Sequence, residues 1–143
     1  MIIKKLGLFV VLLLIFCDDL HAEDCFDAAS KYQGINVYVL RAIAQRENSR
    51  CDSTISKNTN GSVDVGCMQI NSIHFKELSR YGVFPADLLD QCKNIYIGAW
   101  HYKRMIIKYG DNWKAVGAYH SETPNLRDSY SMEIYKILKK SFP

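Results

Sequence analysis

Asn58-Thr59-Asn60-Gly61-Ser62-Val63-Asp64-Val65-Gly66-Cys67-Met68-Gln69-Ile70-Asn71-Ser72 interrupts an otherwise helical sequence, and its reading decides the fold. From Ser56 to Ser62 the composition changes to polar turn formers, and Asn60-Gly61 is a strong tight-turn signal. Val63 to Val65 can form a short strand on the far side. The stretch predicts one small hairpin, the only β structure expected.

Outward from the hairpin, apolar residues recur at helical spacing. Cys25 to Gln33 reads as a short helix ended by Gly34, and Asn36 offers an N-cap for Val37 to Glu47. Further helices are predicted over Ile73 to Arg80, from Asp90 or Gln91 to Tyr109, and over Trp113 to Tyr119. A last amphipathic helix follows a loop around Pro124 and uses Tyr130, Ile134, Ile137 and Leu138. The expected fold class is mainly α (α+β), a single domain with one small hairpin.

Residues 1–22 read as a secretory signal peptide, leaving residues 23–143 as the domain. Lys4 and Lys5 precede an apolar run from Leu6 to Cys17, and Ala22 offers a small residue for cleavage. The run is short for a bilayer span, so no stable membrane insertion is expected after cleavage. Cys17 leaves with the leader. Cys25, Cys51, Cys67 and Cys92 remain, which in an exported chain reads as two disulfides whose pairing stays open. The spacings are long and lack a C-x-x-C pair, so no metal site is expected. A net charge of +3 is too weak to argue for nucleic acid, yet it is compatible with an anionic wall polymer.

Glu47 is the odd residue of its helix. Val37, Leu40, Ile43 and Ala44 form an apolar stripe, and Glu47 occupies its last position. A carboxyl group there loses hydration, which raises its pKa and suits it to donate a proton. The alternative is a helix-end glutamate that swings out to solvent.

The opening stretch resembles the active-site hairpin of animal-type lysozymes, N-T-D-G-S-T-D-Y-G-I-L-Q-I-N-S. Its Gly66 to Asn71 portion is also similar to the second motif of bacterial lytic transglycosylases. Ala118-Tyr119-His120 stands where that family usually carries A-Y-N, and Glu47 stands where its glutamate ends the first long helix. The resemblance spans essentially the whole mature chain. It is closest to the small transglycosylases that accompany type III secretion, type IV pilus and conjugation systems.

The resemblance implies a lysozyme-like fold that cleaves peptidoglycan glycan strands in the periplasm without a cofactor. It assigns Glu47 as general acid and base, and Asp64 as the second, charge-stabilising carboxylate. Asn58, Gly66, Met68, Gln69, Asn71, Tyr119 and His120 form the implied substrate-binding set, although Met68 also reads as core. Tyr119 is expected to place its hydroxyl on Glu47. Relatives suggest pairing Cys25 with Cys92, and hence Cys51 with Cys67. A monomer is expected, with a secretion or pilus component as its possible partner.

Two departures from the pattern stand out. Asn48 separates Glu47 from Ser49 where the family usually reads E-S, and His120 replaces the motif asparagine. A hydrolytic muramidase and a non-catalytic wall-binding scaffold are the alternative readings.

Overall fold

The computed structural model describes residues 24–142, so the segment read as a signal peptide lies outside the described residues. Helix α1, Cys25–Gln33, begins where the Asp24 side chain accepts the backbone N–H groups of Phe26 and Asp27. Asn36 caps α2, Val37–Glu47, in the same way through Tyr38 and Val39. Each cap satisfies donors that the first helical turn leaves unpaired. Asp24 also accepts a 2.8 Å ion pair from Arg41, which ties α1 to α2.

The chain then forms three strands: β1, Ile55–Lys57, β2, Val63–Val65, and β3, Ile70–Asn71. They make an antiparallel sheet in the order β1-β2-β3, pairing Ser56 with Asp64 and Asp64 with Asn71. The expectation of a single hairpin is corrected here. Gly66 (φ +80) and Gln69 (φ +48) turn the chain back after β2, and the Gln69 N–H donates to Gly66 O. Two residues are too few for a β3 alternation to show in sequence.

The predicted Ile73–Arg80 helix divides into a 3-10 turn, Ser72–His74, and the short α3, Phe75–Ser79. Another 3-10 turn, Pro85–Leu89, was not foreseen. It leads into α4, Gln91–Tyr109, whose Ile95, Gly98, Ala99, Tyr102 and Met105 are buried. Helix α5, Trp113–Ala118, is followed by α6, Pro124–Ser141. Pro124 is the first residue of α6 rather than part of a loop, since its missing N–H costs nothing in a first turn.

Asn94 fastens the sheet to this helical frame. It is fully buried, its Oδ1 accepts from Met68 N at 2.7 Å, and its Nδ2 donates to Val65 O and Leu88 O at 2.8 Å. A buried amide with its polar atoms engaged specifies one geometry, because a slip would strand several polar groups. Cys25 is joined to Cys92, and Cys51 to Cys67. The second bridge links the loop after α2 to the turn after β2.

Candidate active site

Helix α2 ends at the lip of a cleft of about 440 Å³ between the sheet and the helices. Glu47, Asn58, Asp64, Gln69, Asn71, Tyr119 and His120 all line it. Burial raises the Glu47 pKa, and nearby Asp64 pushes it in the same direction. A hydrogen bond from Tyr130 and the electrostatic influence of His120 and Arg46 oppose that rise without cancelling it.

The Tyr130 hydroxyl donates to Glu47 Oε1 at 2.5 Å. This is the contact the sequence assigned to Tyr119. Tyr119 instead donates to Met68 O at 2.8 Å, and so braces the turn between β2 and β3. Burial followed by the Glu47 charge holds the Tyr130 phenol well above its ordinary pKa, so it remains a donor. One signal for Tyr130 lay in the sequence: a tyrosine on an apolar helix face needs a partner for its buried hydroxyl.

Asp64 projects from β2 and is held by two amides. Asn58 Nδ2 donates to its Oδ2, and Asn71 Nδ2 to its Oδ1, both at 2.7 Å. The same amides reach Ser62 Oγ, and Asn71 Oδ1 accepts from Ile73 N, so neighbouring strands and turns lock the carboxylate. Gln69 Nε2 donates to Gly66 O at 2.8 Å, which orients its amide at the cleft wall.

Gly66 and Met68 are buried and do not line the cleft. A Cβ on Gly66 would stand 2.2 Å from Asn94 Nδ2, so the close approach that demands glycine is to protein. Met68 packs against Gly98 of α4. Both support the floor beneath the cleft-lining residues. Asn48, the departure beside Glu47, donates to Asp52 Oδ1 at 2.9 Å and reaches Gly66 O at 3.4 Å. It joins the loop after α2 to the sheet.

His74 and His101 meet in the cleft wall with ring centroids 4.8 Å apart. His101 Nε2 lies 3.1 Å from Tyr119 O. Burial, then the neighbouring His74, lowers the His101 pKa to about 4, so the ring is neutral in ordinary conditions. Among the described residues no group of three or more His, Cys, Asp or Glu side chains is arranged to hold a metal.

The model of the transglycosylase SLT domain matches residues 24–133. The chain belongs to this SLT transglycosylase family. It is an enzyme, a lytic transglycosylase, and its substrate is peptidoglycan. X polypeptide of Escherichia coli K12 is 36% identical over 140 residues, covering 93% of this chain and 83% of that protein. Invasion protein IagB of Salmonella typhimurium LT2 is 34% identical over 137 residues, covering 92% and 86%. Protein IpgF of Shigella flexneri is 35% identical over 133 residues, covering 90% and 88%. This SLT transglycosylase has no helix, among its described residues, long and apolar enough to cross a membrane.

Proposed function

We propose that Glu47 performs both proton transfers of an intramolecular glycan cleavage. Glu47 protonates the bridging oxygen of a MurNAc-β-1,4-GlcNAc bond as the C1–O4 bond breaks. The resulting carboxylate takes the proton from the muramyl 6-hydroxyl while O6 bonds to C1. Glu47 is thereby reprotonated, a 1,6-anhydro end forms, and no water is consumed. The observation that carries this reading is Glu47 itself: a cleft-lining carboxyl with a raised pKa, held by a phenolic donor.

Asp64 stabilises the positive charge that develops at C1. Both of its oxygens accept amide hydrogen bonds, which favours a fixed electrostatic partner over an attacking nucleophile. Gln69 and Asn71 offer polar edges to sugar hydroxyl and acetamido groups. The enzyme works as a periplasmic monomer, exported through its N-terminal leader. It opens the wall for a secretion or pilus apparatus, a reading that rests on resemblance and on the invasion protein among its relatives.

Hydrolytic muramidase action is the second reading, favoured by the Asp64 carboxylate poised in the same cleft. Mass spectrometry of products from purified sacculi separates the two. Anhydromuramyl ends lost in Glu47→Ala are expected; reducing ends would make the enzyme a hydrolase. No soluble product from folded protein would reverse the catalytic proposal.

A further inference from the structure

The mechanism leaves one feature of the cleft without a role, the histidine that replaces the motif asparagine. His120 follows α5 and is exposed, with its ring lying parallel to that of Tyr130. The ring centroids are 4.9 Å apart and the planes differ by 4°. Tyr130 itself is only 2% exposed. The Arg46 guanidinium lies 5.7 Å from the same phenol ring and is ion-paired with Glu133. Tyr130 therefore touches a cleft residue through its ring and Glu47 through its hydroxyl.

We propose that His120 is a positioning residue: its ring covers Tyr130 and holds the phenol so that its hydroxyl stays on Glu47. This deepens the assignment of Glu47 as the acid and rests on it. Three observations join in the argument. An exposed ring stacked flat on a buried one acts as a cover between the phenol and cleft water. The hydrogen bond beneath it lies in partly desolvated surroundings, where geometry and exclusion of water govern its strength. Asparagine at this position could not supply an aromatic face, so the substitution gives this chain a ring contact that the motif residue lacks.

The role belongs to the ring rather than to its nitrogen atoms. His120→Phe should therefore retain it, and His120→Ala should lose it. His120→Ala is expected to lower kcat about tenfold with little change in KM, the size an aromatic pair of this kind can support. Because His120 is exposed, the variant should remain folded, which circular dichroism and thermal melting would verify. His120→Phe is expected to restore kcat to within about twofold of wild type.

A double-mutant cycle provides the decisive measurement. In a Tyr130→Phe background, His120→Ala should change kcat little, because the hydroxyl it positions is already gone. Additive losses, a His120→Phe variant as slow as His120→Ala, or a fully active His120→Ala would each overturn the proposal. Glu47→Gln is measured alongside. If it stays active, the assignment of the acid fails first. If it is inactive while His120→Ala equals wild type, only the positioning role fails.

Discussion

Tyr130 of α6 donates a 2.5 Å hydrogen bond to Glu47 Oε1 at the end of α2, joining residues 83 positions apart. With the phenol as donor to Oε1, the proton of the neutral acid resides on Oε2. Burial favours keeping that proton, while the Tyr130 bond favours releasing it. The opposing influences suit a group that must give a proton and then recover one.

Tyr130→Phe removes the hydroxyl and leaves the ring. Its loss should raise the Glu47 pKa further, because the bond stabilises the carboxylate. The alkaline limb of kcat/KM is expected to move to higher pH, with kcat reduced about tenfold. A pH–rate profile that keeps its alkaline limb in place would show that the phenol does not act on Glu47.

Glu47 also links stability to pH. Its native pKa is raised, so the folded state holds the proton more tightly than the unfolded chain. Stability attributable to Glu47 is present below its unfolded pKa and is lost as pH rises through the native value. Glu47→Gln cannot ionise. It should melt a few degrees above wild type near pH 8, with the gap closing near pH 4. Thermal melts across that range test this, and a gap independent of pH would count against it.

Asp64→Asn should keep the fold and lower kcat by about a hundredfold, since a fixed charge is lost where the proposed mechanism develops positive charge. Asn58→Ala removes one of the two amides holding Asp64 and should cost less, about tenfold. Steady-state kinetics on a defined glycan oligomer would rank the two. Equal losses would mean that orientation matters as much as charge.

Gly66→Ala introduces a Cβ 2.2 Å from Asn94 Nδ2 and 2.8 Å from Leu88 O, at a residue with φ +80. The strain and the disturbed amide should lower stability by more than about 2 kcal/mol. Urea unfolding measures it. A change under about 0.5 kcal/mol would show that the turn after β2 can yield.

Much of the helical frame was legible because its signals are local. The Asn36 cap, Gly34 and the apolar stripe from Val37 to Ala44 lie within a few residues of the elements they define. The third strand was not legible: Ile70–Asn71 has no periodicity of its own and exists through pairing with Asp64 and Val65. Similarly, Pro124 alone does not reveal the start of α6, because proline marks a helix start as readily as a break.

By itself, the sequence determined the helix order, the hairpin turn and the glutamate that closes an apolar stripe, all properties of neighbouring residues. Only the tertiary structure decided which tyrosine reaches Glu47. Tyr119 and Tyr130 are both buried, and each hydroxyl needs an acceptor. The packing of α5 and α6 sends Tyr119 to Met68 O and Tyr130 to Glu47 Oε1. That choice depends on the relative placement of distant elements, which no local pattern encodes.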